Sequence, residues 1–335
     1  ALELLDRAEA LGGWNLPWDL TYLAERAKTL GLFWDISSLL TLDLLAAYRQ
    51  LYRRRSYRLK DVVVDEKMTE QTEESVDYGK LWDEDRTALL ERNKRHCQWV
   101  AQIDSKLRIS DYHLELKELV GLEDLEDTFY SSVLIDTLML RRAKGVLPTK
   151  QKREHSTYEG AMVLSPPAEV IESVVFLDLS RFYPNIIRSA RLDPLIVKQF
   201  LETGLSWDRY EEYAKSYTGE TLLLGLVTEL LAQRDKFQRE GHQDKIAAIK
   251  TLCNSLYGVS AYSGFRLYMK EIPEQVTEIA RNILSGLIAE VRSWGYEVSY
   301  GDTDSLAVRA PQAELKGLEE RINQWLRRLR DYSIS

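Results

Sequence analysis

Apolar and polar positions alternate most legibly in the C-terminal half of the chain. Val174 to Leu177 is an apolar run of strand length that ends in Asp178, followed by a turn containing Pro184 and a helix start. Lys198 to Gly219 is mixed. Glu220 to Arg239 has a strong helical pattern with few breakers, Gly241-His242 supplies a turn, and Asp244 to Tyr257 predicts a second helix antiparallel to the first. Ala261 to Met269 reads as strand-like and Glu274 to Trp294 as a long helix. In Glu297 to Val308, EVSYGDTDSLAV, β-favouring residues flank Gly301-Asp302-Thr303-Asp304, which predicts two strands joined by a tight turn. Pro311 ends the second strand, and Ala313 to Tyr332 predicts an amphipathic, arginine-rich helix.

Toward the N-terminus the pattern is weaker. Ala1 to Gly31 has helical periodicity on either side of GGWNLPWDLTYL. Tyr52 to Lys60, YRRRSYRLK, mixes cations with aromatics; it could touch a phosphate backbone, although a solvated helix or loop face is the commoner meaning. Gly121 to Lys152 passes from the acidic GLEDLED to a basic run, Arg141, Arg142, Lys144, Lys150, Lys152 and Arg153, which includes Pro148. The charge reversal and the proline predict a connector. No internal repeat or low-complexity tract interrupts the chain.

Composition narrows the class. A chain of 335 residues can hold two domains or so and bury a sizeable core. It is 44% hydrophobic without an apolar run of bilayer length or an N-terminal signal pattern, so no membrane partner is expected, and the expected location is cytoplasmic (nucleoid-associated) or nuclear, not secreted. Cys97 and Cys253 lie far apart and form no CxxC, which predicts neither a disulfide framework nor a zinc site. The net charge of −8 argues against indiscriminate binding to nucleic acid and leaves room for a local basic groove.

Candidate chemistry lies in three stretches. Asp302 and Asp304 share a hairpin tip, where close carboxylates repel one another unless a hard cation such as Mg²⁺ lies between them; a plain turn rich in Asp and Gly is the alternative. Asp178 closes a strand. Lys250, Asn254 and Tyr257 fall at i, i+4 and i+7, on one helix face. This order resembles the family B (alpha-like) DNA polymerases, whose motifs have the forms DxxSLYPSII, KxxxNSxYG and YGDTDS. Tyr300 to Ser305 match the third in full, Lys250, Asn254, Ser255, Tyr257 and Gly258 match the second, and Asp178, Tyr183, Pro184, Ile186 and Ile187 match the first.

The resemblance implies an α/β (α+β) fold: a degenerate RNase H-like exonuclease remnant over 1–118, a connector over 119–160, an antiparallel-sheet palm over 161–197 and 259–335, and a helical-hairpin fingers insertion over 198–258. It implies a DNA-templated DNA polymerase that uses two Mg²⁺ ions, with Mn²⁺ able to substitute, and takes primer-template DNA and dNTPs as partners. The implied metal-bridging acids are Asp178 and Asp304, with Asp302 in support and the Leu179 carbonyl as a further ligand. Lys250, Asn254 and Arg234 are implied to meet the triphosphate, Tyr183 to exclude a 2′-hydroxyl, and Tyr257 with Gly258 to lie against the nascent base pair. The family's lysine one turn after Arg234 is Gln238 here. Its serine in the first motif is Arg181, which can meet a phosphate or an acidic neighbour. Tyr158-Glu159-Gly160-Ala161 resembles the template-contacting YxGG element with its last glycine replaced, which matters if that position needs positive φ; Tyr158 and Gly160 are the implied DNA contacts.

The exonuclease resemblance decays at its functional positions. Asn15 and Asp19 resemble the second exonuclease motif with a spacing one residue short, and Asp19 reads equally as the N-cap of a helix from Leu20 to Leu30. In the third motif Arg92 stands for the tyrosine and His96 for the aspartate, and an imidazole cannot replace a hard oxygen ligand of Mg²⁺. No DxE precedes Asn15, so proofreading is expected to be absent. The family's thumb and N-terminal domain lie outside this sequence, which suggests a fragment, or a split enzyme completed by a second polypeptide. A sliding clamp is a family expectation, although no clamp-binding peptide is visible. The rival reading is a silent polymerase-fold subunit that binds DNA or a partner polymerase. A primase-like, ribonucleotide-using enzyme is disfavoured by Tyr183.

Overall fold

The computed structural model describes residues 5, 7–34, 39–70, 73–151, 153–154, 157–168 and 170–330. The chain divides into two compact units, Ala1–Leu134 and Ile135–Ser335. It is mixed α/β, 61% helical, with a small antiparallel sheet. Among the described residues no helix is long and apolar enough to cross a membrane. Lys152 of the basic run and Tyr332 at the end of the last expected helix lie outside the described residues.

In the first unit β1 (Ala10–Gly13) pairs in parallel with β2 (Leu40–Asp43), and α1 (Leu16–Thr29) lies between them in the chain. The helical periodicity read ahead of Gly12 therefore gives way at Ala10 to a strand. Gly12 and Gly13 disfavour helix, and a Cβ on Gly13 would come within 2.9 Å of the Leu16 side chain, which would have to shift. α1 opens at Leu16 and not at Leu20, because Asn15 takes the left-handed turn at φ 64° and Pro17 occupies an opening position where its missing N–H costs nothing. Asp19 is thus a residue of the first turn and not the cap.

Asp43 caps α2 (Leu44–Leu51) by accepting from the Leu45 amide at 3.0 Å, and it accepts from the Asn15 amide at 2.9 Å. With α3 (Leu59–Asp65), α4 (Tyr78–Glu84), α5 (Arg86–Leu107) and α6 (Ile109–Val120) these elements enclose a core that includes Leu42, Tyr48, Val63, Ile103 and Ile109. Part of the basic-aromatic stretch is committed inside this unit. Arg54 pairs with Glu66 at 2.9 Å and donates to Tyr48, while Arg58 pairs with Asp61 at 2.7 Å.

The chain enters the second unit along α7 (Ser131–Arg142). Its sheet has the order β3-β5-β6-β4, all antiparallel: β3 (Val163–Leu164), β4 (Val174–Asp178), β5 (Glu297–Asp302) and β6 (Ser305–Arg309). β5 carries one extra residue, since Val298 opposes Val308 and Tyr300 opposes Ala307, leaving Ser299 without an opposite number. Val298 and Ser299 are both buried, after which the alternation resumes.

Between β4 and β5 the chain forms α8 (Phe182–Ser189), α9 (Pro194–Glu202), α10 (Tyr210–Ser216), the hairpin of α11 (Leu223–Glu240) and α12 (Gln243–Ser260), and α13 (Glu271–Ser293). Pro184 sits in the first turn of α8 and not in the preceding turn, where helix-starting amides have no intrahelical partner to lose. Gly241, at φ 76°, ends α11 in the left-handed conformation that suits glycine, and the chain reverses into α12. Buried Asp193 accepts from the amides of Leu195, Leu222 and Leu224, tying the start of α9 to the start of α11. α13 packs on α8 and β5 along a stripe that includes Val276, Ile283, Leu287 and Val291, and also meets α14 (Leu315–Arg330).

Ala261 to Met269 is not a strand. Its amides close successive turns, Tyr262 to Val259, Phe265 to Tyr262 and Tyr268 to Phe265, and Arg153 takes the Phe265 carbonyl at 2.8 Å. The Arg266 guanidinium forks onto the buried Asp136 carboxylate at 2.5 and 2.9 Å. Backbone groups that a ladder would need are consumed locally.

Candidate functional site

The β5–β6 turn consists of Thr303 and Asp304, because Asp302 still pairs with Ser305. Thr303 is β-branched yet holds φ 55°, a costly backbone for such a side chain. Its amide donates to the Met162 carbonyl at 3.0 Å, and the Asp304 amide donates to the Asp302 carbonyl at 2.6 Å. The Asp304 carbonyl in turn accepts from the Leu179 amide at 2.7 Å, so the strand carrying Asp178 is joined by main chain to the turn carrying Asp304.

Asp178 and Asp304 line one cleft of about 430 Å³ together with Leu179, Tyr183 and Pro184, Arg234 from α11, and Lys250, Asn254 and Tyr257 from α12. The two acids feel each other. Burial raises the Asp304 carboxyl above its ordinary value, and the charge of Asp178 raises it further. Asp302 does not line the cleft; it accepts from the Thr303 hydroxyl at 2.8 Å and the Tyr300 hydroxyl at 3.0 Å. Among the described residues no group of three or more His, Cys, Asp or Glu is placed to hold a metal ion. The two carboxylates are nonetheless hard oxygen donors, the type that suits Mg²⁺, and Leu179 lines the cleft with them.

The rest of the cleft lining includes cations and aromatic rings. Lys250 and Asn254 are exposed into it, one turn apart. Arg234 is partly buried, its Nε lacks a hydrogen-bond partner, and burial lowers its affinity for its proton, as does the neighbouring charge of Arg181. The Tyr183 hydroxyl is pushed up to about 12 by burial and then by Asp304. Gly258 does not line the cleft, and a Cβ on it would meet nothing within 4 Å.

The sequence profile of DNA polymerase family B matches residues 126–323. The chain belongs to DNA polymerase family B. Among curated proteins, DNA polymerase 1 of Pyrococcus abyssi (strain GE5 / Orsay) is 27% identical over 349 residues, covering 95% of this chain and 44% of that protein. DNA polymerase II of Escherichia coli (strain K12) is 27% identical over 231 residues, covering 67% of this chain and 29% of that protein. The chain therefore spans less than half the length of these relatives. The solved family B DNA polymerase of the hyperthermophilic archaeon Pyrobaculum calidifontis shares the fold, with a TM-score of 0.71 at 22% identity over 94% of this chain and 47% of that one.

In this family B chain Tyr158 joins the cleft at one remove, its hydroxyl 3.2 Å from that of Tyr257. The carbonyls of Glu159 and Gly160 both accept from Arg281 Nη1 at 2.7 Å, and Thr277 donates to the former at 2.9 Å. Ala161 is not in the left-handed region, so the alanine brings no backbone strain. Arg281, one arginine in a long helix, carried no signal in the sequence.

The exonuclease-like positions fall in the first unit. Asn15 is exposed and gives its amide to Asp43, and Asp19 is exposed on α1. Arg92 and His96 converge on α5, but onto a carboxylate that sequence reasoning did not single out: Glu73 lies 2.7 Å from Arg92, 2.9 Å from His96 and 2.5 Å from Arg95. Burial works to raise the Glu73 carboxyl, yet bonds from His96 and Arg95 and the charge of Arg92 hold it below its ordinary range.

Proposed function

We propose that this chain carries the nucleotidyl-transfer centre of a DNA-templated DNA polymerase, adding dNTPs to a primer 3′-hydroxyl. The observation that supports this best is the one cleft shared by two mutually repelling carboxylates, Asp178 and Asp304, and three cations, Arg181, Arg234 and Lys250. Two Mg²⁺ ions, or Mn²⁺ in their place, would be held by Asp178, Asp304 and the Leu179 carbonyl, with Asp302 supporting from behind. Bound there, they would lower the pKa of the primer hydroxyl and neutralise charge on the departing pyrophosphate.

The chain's own residues divide the remaining work. Lys250, Asn254 and Arg234 offer donors to the triphosphate; Arg234 has an unused buried donor to give. The partly buried Tyr183 ring, packed on Tyr257, leaves little room beside the sugar for a 2′-hydroxyl. Tyr257 meets the nascent base pair with the open helix surface at Gly258 beside it, and Tyr158 and Gly160 take the template strand. In family terms the four-stranded sheet is the palm and the α11–α12 hairpin the fingers.

We infer that proofreading is absent. Where the family's third exonuclease motif has an aspartate this chain has His96, whose ring is committed to Glu73, and an imidazole is not the hard oxygen ligand that Mg²⁺ requires.

Primer extension by the full chain with Mg²⁺ and dNTPs, beside Asp304→Asn, tests both statements. Extension lost in the variant, with no shortening of a 3′-labelled duplex when dNTPs are omitted, is the expected result. A wild-type chain that binds primed DNA and Mg²⁺ yet never extends it would instead favour the silent-subunit reading.

A further inference from the structure

The cations around the cleft are held differently. Lys250 is exposed to it, and Arg234 is partly buried with an unpartnered Nε. Arg181, from the turn before α8, reaches across to α11, placing Nη1 2.6 Å from Asp235 Oδ1 and Nη2 3.3 Å from Gln238 Oε1. Arg181 lines the cleft and its side chain is 19% exposed; Asp235 does not line it and its side chain is 56% exposed.

We propose that Arg181 is a further polyphosphate-binding residue of this cleft, held by Asp235 until a nucleoside triphosphate enters and then transferred to the phosphates. The proposal rests on the nucleotide-binding reading above. An ion pair with one partner half open to water is weak, whereas guanidinium bonds to phosphate are charge-assisted and often bidentate. Arg181 and Arg234 face the same space and repel one another, a conflict that an anion between them relieves and that Asp235 relieves only from the side. Arg181 also holds φ 54°, a backbone that glycine would adopt without strain and that costs an arginine.

Asp235 and a phosphate would then compete for one guanidinium, and removing either side of the pair must have opposite effects. A purely structural latch between α8 and α11 makes both removals equivalent.

The test is equilibrium binding of dATP, with dAMP as control, to the full chain in Mg²⁺ buffer, comparing wild type with Arg181→Gln, Arg181→Lys, Asp235→Asn and Lys250→Ala. Arg181→Gln is expected to weaken dATP about tenfold, one charge-assisted contact, while dAMP is unmoved. Arg181→Lys recovers part of the loss, and Asp235→Asn tightens dATP about twofold or more by releasing the guanidinium. Weakening of dATP by both Arg181→Gln and Asp235→Asn, or equal loss of dATP and dAMP, overturns the proposal in favour of a latch. Should Arg181→Gln misfold, the sign of the Asp235→Asn effect decides alone. If Lys250→Ala is also silent and wild type does not prefer dATP to dAMP, the nucleotide reading itself fails; if Lys250→Ala weakens dATP and Arg181→Gln does not, only the role of Arg181 falls.

Discussion

The rings of Tyr183 and Tyr257 lie 4.4 Å apart, centroid to centroid, at an angle of 45°. They come from α8 and α12, and the Tyr257 hydroxyl continues the contact to Tyr158. Three separate segments of chain thus meet beside the acidic cleft.

Replacing Tyr183 by alanine should open that space without disturbing the acids. Discrimination against ribonucleotides, measured as the ratio of kcat/KM for dATP and ATP, is expected to fall by about tenfold or more. An unchanged ratio would remove Tyr183 from the gate.

Asp304→Asn should reduce extension by roughly a thousandfold or more, the loss expected when several kcal/mol of charge stabilisation disappear. Stability should move the other way. The folded state raises the Asp304 pKa above its ordinary 3.8, so the penalty for ionising it is absent below that pH and complete above the folded value. At pH 7 without divalent ions the variant is therefore expected to melt higher than wild type. Added Mg²⁺ should raise the Tm of wild type and leave the variant nearly unmoved; equal responses would count against Asp304 as a ligand.

The Arg266–Asp136 pair is the clearest electrostatic strut of the second unit. Arg266→Ala leaves a carboxylate whose side chain is only 6% exposed with Lys150 as its remaining cation, and should cost about 2–3 kcal/mol in urea unfolding, short of the loss for a wholly buried pair. Burial alone would raise the Asp136 pKa, but Arg266 and then Lys150 hold it below 3.8. The wild-type contribution is accordingly full above that value and lost as the pH falls through the folded pKa. In Arg266→Ala this acid-induced loss should be smaller.

Arg281→Ala removes the donor shared by the carbonyls of Glu159 and Gly160. If that segment meets template, affinity for primer-template DNA should drop about tenfold while dATP binding stays level, since one strong anchoring contact is lost. A fall in dATP affinity alone would place the effect in the cleft.

Glu73→Gln leaves Arg92 and Arg95 facing one another without a counter-charge, one of them with an already unpartnered Nε. The first unit should lose about 1–3 kcal/mol in thermal or urea unfolding. An unaltered midpoint would mean that the cage contributes nothing.

Much of the cleft was legible because the three motifs that resemble the family's lie on elements the pattern predicts: Asp178 closes an apolar strand, Asp304 lies in the turn of a hairpin, and Lys250, Asn254 and Tyr257 share one helical stripe. What stayed hidden depends on long-range partners. Glu73 is an ordinary acid in a polar stretch until α5 brings three cations to it. Arg181 was read as able to meet a phosphate or an acidic neighbour, and only the approach of α11 identifies that neighbour as Asp235. Local backbone chemistry misled in two places. The helical periodicity ahead of Gly12 ends at Ala10, where β1 begins, and Ala261 to Met269 has strand-like residues whose hydrogen bonds are spent in turns.

The unmatched Ser299 in β5 makes the hairpin unequal in its tolerance of changes in chain length. A bulge stores one surplus residue with its side chain on the same face as its neighbour, so a deletion near Val298 to Tyr300 can be absorbed by straightening the strand without exchanging inside for outside. Between Gly301 and Ser305 nothing is held in reserve. There a deletion slips Asp302 past Ser305 and breaks the step by which Asp304 is bonded to the strand of Asp178. Descent can drop one residue from the far part of this hairpin, while its tip admits only exchanges of one residue for another.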